Sequence, residues 1–257
     1  MFVVQAVIGV FVMMTLLWLC SIYLNNVSIV DNFWGMGFVL VVWILASQSD
    51  ALYTRDYLLI LLVTLWGTRL SVYLMQRNYG KKEDYRYQEF RERYGRERYW
   101  WFSYFQVFLL QGALILIISL PFYGIFKKTV SDELNFIDYL GILIWVIGFV
   151  FESVGDYQLA SFKKDPNNKG KLLTSGLWRY TRHPNYFGDA AVWWGYGLIA
   201  IASGAYWYSL GALLMTYLIL KISGVSLLEK SLSVKKPGYE DYMNSTNSFI
   251  PWIPKRK

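Results

Sequence analysis

The sequence predicts an all-α fold, a polytopic membrane helical bundle of about seven transmembrane helices, with the N-terminus outside and the C-terminus in the cytosol. Three observations lead there. Of 257 residues, 55% are hydrophobic and 17% charged, and the mean hydropathy is +0.30, more apolar than a soluble domain of this length requires for its core. Apolar runs recur along the chain, each near the roughly 20 residues that carry a helix across a bilayer. Lys and Arg fall almost wholly in alternate connections, as cytosolic loops demand.

The first span, about Met1 to Leu24, has no basic leader and no small-residue cleavage site, so it reads as a membrane helix rather than a removed signal peptide. The second, Ser28 to Ser47, opens with Asp31 and Asn32, expected near the outer boundary, where Asp31 either caps the helix or faces a cavity. The third, Tyr57 to Gln76, carries Arg69. The fourth, Trp101 to Phe126, holds Gln106 and Gln111, which either join helices or line a polar cavity. The fifth, Phe136 to Tyr157, carries Glu152 and Asp156 four residues apart, and therefore on one face. They either pair with a cation such as Arg69 or meet a ligand. The sixth, Gly188 to Ser203, starts with Asp189 and is short and glycine-interrupted, so six spans with a re-entrant segment is the alternative topology. The seventh, Tyr206 to Val225, contains Lys221, which can snorkel. An ionisable group inside a span is costly and usually has a partner or a cavity.

With these spans, 20 basic residues fall on one side and three on the other. The rich side comprises Arg77 to Arg98, the loop from Lys163 to Arg182, and the tail with Lys230, Lys235, Lys236, Lys255, Arg256 and Lys257. These are the expected cytosolic segments. The net charge of +7 thus reports orientation and attraction to anionic head groups, not a nucleic-acid partner. Cys20 is the only cysteine, which excludes an intrachain disulfide and a thiolate metal cluster. Arg77 to Trp100 mixes both charge signs with Tyr, the pattern of short helices at the head-group boundary or of a solvated face.

The polar island Arg179-Tyr180-Thr181-Arg182-His183-Pro184-Asn185-Tyr186 leads straight into the sixth span. Pro184 fits the first turn of a helix, so that helix starts near it with its free N–H groups toward the cytosol. Such an end attracts anions. His183 is the only histidine; beside Arg179 and Arg182 it suits a phosphate-bearing ligand better than a metal, and no metal site is expected. No Walker-type loop, G-x-G-x-x-G or G-x-S-x-G element is present, so a nucleotide would have to bind at helix ends and loops.

The run from Gly176 to Asp189, followed by Trp194-Gly195-Tyr196, resembles the C-terminal signature of the steroid 5-alpha-reductase-like membrane reductases. Gly155-Asp156-Tyr157-Gln158-Leu159, Tyr239-Glu240-Asp241-Tyr242 and Phe249-Ile250-Pro251 match in order and spacing. Asp31-Asn32-Phe33-Trp34-Gly35 and Glu83-Asp84-Tyr85-Arg86-Tyr87 resemble a bacterial-type branch. The resemblance implies reduction, with NADPH as hydride source, of a carbon–carbon double bond conjugated to a carbonyl in a lipid. It also implies a single membrane domain in which residues 1–135 line a substrate cavity and residues 136–257 bind the cofactor. Asn185 and Asp189 stand as nicotinamide-side and ribose-side contacts and Asp156 as another; Lys163 stands where the family often has an arginine. Arg179, Arg182 and His183 would cradle phosphate, with Tyr186, Tyr239 and Tyr242 completing the site. The family's Gln-Glu pair with Leu-Pro, and its substrate tyrosine, have no counterpart here. Asp31, Arg69 and Glu152 are the catalytic candidates in their stead, and Trp66 occupies one of those places without an acidic proton to give.

Two rivals share features of this signature. A membrane methyltransferase of the isoprenylcysteine carboxyl or phospholipid type has the Arg-His-Pro element and uses S-adenosylmethionine. A non-catalytic lipid-binding protein would keep the fold without turnover. The membrane itself is either a bacterial inner membrane or the endoplasmic reticulum, with the cofactor site facing the cytosol.

Overall fold

The computed structural model describes residues 2–129, 131–222 and 224–255, and every regular element among them is helical. Met1, Arg256 and Lys257, named above at the two chain ends, and the side chain of Lys235 lie outside the described residues. The chain divides into two compact units, Met1–Leu134 and Asn135–Lys257.

In the first unit, α1 (Phe2–Leu24) is a long apolar helix. The predicted second span is broken: α2 (Ile29–Asn32) and α3 (Trp34–Ser47) meet at Phe33. The caps of α2 and α3 are Ser28 and Phe33, so Asp31 caps neither. α4 (Thr54–Asn78) begins where Asp56 turns back to accept from the Tyr53 N–H at 2.9 Å. α5 (Tyr85–Tyr94) is a charged surface helix capped by Asp84, which accepts from the Arg86 N–H at 3.0 Å. The fourth span is a composite run, α6 (Tyr99–Ser103), a π-helical segment (Tyr104–Leu109), α7 (Leu110–Ile118) and α8 (Leu120–Lys128). Pro121 near the start of α8 lacks the N–H that a continuous helix would need there, which accounts for the break before it.

Backbones touch between α3 and α4. A Cβ on Gly35 would lie 2.3 Å from the Gly67 carbonyl oxygen, so only glycine permits this approach. Beside that contact Phe38, Trp66 and Phe122 form a buried aromatic core, with ring centroids 5.8 and 6.4 Å apart.

In the second unit, α9 (Phe136–Lys164) starts at a reciprocal cap: the Asn135 side chain accepts from Ile137 and Asp138, and Asp138 returns to the Asn135 N–H at 2.8 Å. α10 (Pro184–Ala202) follows after irregular chain and short 3₁₀ turns, with Pro184 as its first residue. α11 (Leu210–Tyr217) continues as a π-helical segment to Ile222, and α12 (Val225–Lys235) and α13 (Tyr239–Ser245) are short polar helices. Gly141, Gly148 and Gly155 recur every seven residues on α9 and meet α10 at Gly195, Gly188 and Asn185. A Cβ on Gly188 would lie 2.3 Å from the Glu152 backbone nitrogen. The two helices therefore run backbone to backbone, which fixes their register.

Among the described residues, four helical stretches are long and apolar enough to cross a membrane: α1, α4, the run Tyr99–Lys128 and α9. Trp34–Ser47 and Tyr206–Ile222 are shorter apolar helices. The protein is an integral membrane protein.

Candidate functional site

The polar residues around the start of the predicted sixth span gather where α9 meets α10. Gly155 lets α10 approach so closely that a Cβ there would lie 3.2 Å from the Asn185 backbone nitrogen. Asn185, one residue into α10, then donates from Nδ2 to Asp156 Oδ1 at 3.1 Å. Asp156 and Glu152, one turn apart on α9, are both buried, whereas Asn185, Tyr186 and Asp189 are half-buried. The segment leading into α10 is tied to α9 as well. Leu177 N–H donates to Gln158 Oε1 at 3.0 Å, and Trp178 Nε1 donates to the Gly155 carbonyl at 3.2 Å. Lys163 at the end of α9 and Arg179 are exposed.

Arg182 and His183 are placed differently from the phosphate cradle expected of them. Both are buried, and both turn to Glu229 on α12. Arg182 donates to Glu229 Oε1 from Nε at 3.0 Å and from Nη2 at 2.6 Å, while Nη1 reaches the carbonyls of Met243 and Thr246. The Arg182 N–H meets the Asn247 carbonyl at 2.9 Å. Since a carboxylate only accepts, His183 donates to the same oxygen through Nε2, at 3.3 Å. The hydrogen bond from His183 and the Arg182 guanidinium hold the Glu229 carboxyl below its ordinary value of 4.5, against the desolvation that would raise it. Arg182 is thus an internal clamp on the C-terminal segment.

That segment packs over the island. Thr181 Oγ1 donates to the Phe249 carbonyl at 2.8 Å, Trp252 N–H donates to the Tyr180 carbonyl at 2.9 Å, and Tyr242 OH donates to the Trp178 carbonyl. Tyr239 and Tyr242 lie 6.0 Å apart as a buried pair, and burial raises both phenols. Glu229 drew no attention in the sequence because α12 looked like ordinary tail; its spacing from the island carries no signal.

The remaining catalytic candidates of the first unit are Asp31 and Arg69. Asp31 accepts from Arg86 Nη2 at 2.9 Å, from Tyr87 OH at 2.7 Å and from Gln111 Nε2 at 3.4 Å. Asn32 Oδ1 accepts from Asn78 at 2.8 Å. These partners correct the expected position of Asp31 near the outer boundary. It lies at the end of α2 and α4 that carries the basic 77–98 connection, the connection expected in the cytosol. Burial and the Asp31 charge push the Tyr87 phenol well up. Arg69 places its guanidinium 5.3 Å from the centroid of the Tyr73 ring. Trp66 is a fully buried core residue.

A family profile described as "Protein of unknown function (DUF1295)" matches residues 17–246. The chain belongs to that family. The DUF1295 family is steroid 5-alpha-reductase-like, in agreement with the resemblance carried by the Arg179–Asp189 island. An uncharacterized protein of Schizosaccharomyces pombe is 25% identical over 94% of this chain and 77% of its own length. The 3-oxo-5-alpha-steroid 4-dehydrogenase 1 of Homo sapiens is 25% identical over 44% of the chain and 41% of its own length. A protein of Ustilaginoidea virens named as a probable O-methyltransferase is 44% identical over 27% of the chain and 24% of its own length. No solved structure matches.

Proposed function

We propose that this DUF1295 protein is an NADPH-dependent membrane reductase that saturates a carbon–carbon double bond conjugated to a carbonyl in a lipid. The observation that carries the reading is the glycine-fixed corner of α9 and α10, where Asn185 pairs with Asp156, with exposed cations at Lys163 further along α9 and at Arg179 in the segment that leads into α10. A phosphorylated dinucleotide needs cations for phosphate and paired donors and acceptors for its ribose and amide groups. Lys163 and Arg179 supply the first, and Asp156, Asn185, Tyr186 and Asp189 the second. In this reading Arg182, His183, Tyr239 and Tyr242 stand behind the site and hold its shape, because their polar atoms are directed to Glu229 and to backbone carbonyls. NADPH, when bound, supplies the hydride.

The protein must polarise the carbonyl and deliver a proton. Glu152 is the proposed proton source, since it is a buried carboxyl one turn from Asp156 on the same helix face. Arg69 can stabilise negative charge on oxygen but has no proton to give. Asp31, already accepting from Arg86 and Tyr87, orients that phenol. Residues 1–135 are proposed to line the cavity for the lipid. The proposed topology keeps seven crossings with the N-terminus outside, supported by the 20-to-three division of basic residues.

The short match to the probable O-methyltransferase favours one second reading, S-adenosylmethionine-dependent methyl transfer. Both are tested by titrating detergent-solubilised protein with NADPH, NADH or S-adenosylmethionine and following thermal stability, because a ligand of the native state raises it. NADPH is expected to stabilise most. Selective stabilisation by S-adenosylmethionine would replace the reductase reading, and indifference to all three would leave a non-catalytic lipid-binding protein. Asn185→Ala and Asp189→Ala should each weaken NADPH binding by about tenfold, or ~1.4 kcal/mol, with the unliganded midpoint little changed.

A further inference from the structure

The motif Glu83-Asp84-Tyr85-Arg86-Tyr87 has no part in the cofactor corner, yet it is held as firmly as any site. Glu83 accepts from the Val27 N–H at 2.8 Å and pairs with Arg91 at 2.9 Å, and the Asp84 N–H donates to Ser28 Oγ at 3.0 Å. Glu83 and Arg91 also line a cavity of about 430 Å³, together with Asn25, Asn26, Lys81 and Lys82 among others. Its cations outnumber its acids. Arg91 is neutralised by Glu83, and Arg96 at the rim faces Glu92 at 3.7 Å. Among the described residues neither Lys81 nor Lys82 has an ion-pair partner.

The backbone is shaped to this end. Asn25 reverses the chain after α1 with φ of +48°, and Gly80 does so after α4 with φ of +70°. The two turns bring Asn25, Asn26, Lys81 and Lys82 to one opening. The depth of that opening follows from its neighbours. Leu24, the last residue of α1, lines it, and the helix that leads to it exposes apolar side chains along its length, Phe11, Leu16, Leu19 and Ile22 among them. One turn and a half below the opening, Trp18 Nε1 donates to the Trp100 carbonyl at 2.7 Å, an aromatic pair of the kind that marks the head-group level.

We propose that this cavity is a binding site for the phosphate-bearing head group of an anionic membrane lipid whose acyl chains lie along α1. The asparagine amides donate to the phosphate oxygens, and Lys81 and Lys82 supply the opposing charge. A free anion offers the same phosphate chemistry but gains nothing from the exposed apolar side chains of α1, which is why the lipid is the expected occupant. The inference does not depend on the reductase reading, since it involves a different part of the chain and no cofactor.

The test uses the full-length protein in a neutral detergent, titrated with phosphatidylglycerol, phosphatidylcholine, glycerol 3-phosphate or inorganic phosphate while thermal stability is followed. Phosphatidylglycerol is expected to raise the midpoint at low concentration. The double variant Lys81→Gln/Lys82→Gln should need roughly tenfold more of it, whereas Lys81→Arg/Lys82→Arg and, as a distant control, Lys127→Gln/Lys128→Gln should respond as the parent does. Equal response of parent and Lys81→Gln/Lys82→Gln protein would overturn the site. Equal stabilisation by phosphatidylcholine would overturn the role of charge, and equal stabilisation by glycerol 3-phosphate or inorganic phosphate would overturn the lipid as occupant. If the glutamine variant does not fold, native mass spectrometry of the parent decides: release of every bound phosphatidylglycerol only when inorganic phosphate is added would also count against the proposal.

Discussion

Glu229 shows how much one carboxylate can organise. It receives three hydrogen bonds at a single oxygen, from Arg182 Nε, Arg182 Nη2 and His183 Nε2, and so keeps two residues of the island from turning outward. Glu229→Gln keeps the shape but loses the charge that makes these bonds strong, and charge-assisted bonds of this kind contribute about 2 kcal/mol. The thermal midpoint near neutral pH should fall by about 5 °C. The sign of the pH dependence follows from the lowered carboxyl. Its stabilisation is fully present above the ordinary value of 4.5 and is lost as pH falls through the lower value of the folded protein. Parent and variant midpoints should therefore converge below pH 4.5, and a constant gap down to acid pH would show that the loss was one of packing. The island itself was legible from its residues; its anchor was not, because hydrophobic pattern and spacing say nothing about which distant side chain a buried arginine will meet.

At the scale of elements, the second unit is organised by glycines on both α9 and α10, of which the hydropathy pattern marks only those that interrupt the sixth span. Their heptad recurrence, Gly141, Gly148 and Gly155 against Gly188 and Gly195, keeps one seam free of side chains on each helix. Without that seam Asn185 could not reach Asp156. Gly188→Ala would drive a methyl into the backbone of Glu152 and Gly148, which can yield only by separation of α9 and α10. The expected cost is about 2–3 kcal/mol, together with weaker NADPH binding than in the parent. Gly197→Ala on the same helix meets the Ala212 methyl at 3.3 Å and Ser209 at ordinary contact distance, and should lower the midpoint far less. Equal losses in the two variants would mean that the seam does not set the register. The long apolar helices were readable because hydropathy over 20 residues is a strong and additive signal. The break at Phe33 and the π-helical segment at Tyr104–Leu109 were not, since each leaves that sum unchanged while it re-aims the residues that follow.

For the whole chain the decisive quantity is the number of crossings, and the sixth and seventh segments distinguish two topologies that differ at the tail. Pro184–Ala202 is 19 residues long and rich in glycine, and Tyr206–Ile222 is shorter still. If both cross, residues 163–182 and the tail share the cytosolic side, as the positive charges favour; if the sixth segment is re-entrant, the tail emerges opposite the 163–182 loop. The single cysteine makes this measurable. In a Cys20→Ser background, one new cysteine is introduced at a time by Asp50→Cys, Ser131→Cys, Asn167→Cys or Ser233→Cys, and intact cells are treated with a membrane-impermeant maleimide. Seven crossings with the N-terminus outside require labelling at 50 and 131 and protection at 167 and 233 until the membrane is opened. Labelling at 233 with protection at 167 would establish the re-entrant arrangement, and the inverse of the whole pattern would reverse the orientation. Either outcome would also decide which side must supply the cofactor, because Lys163 and Arg179 lie in the connection that position 167 reports on.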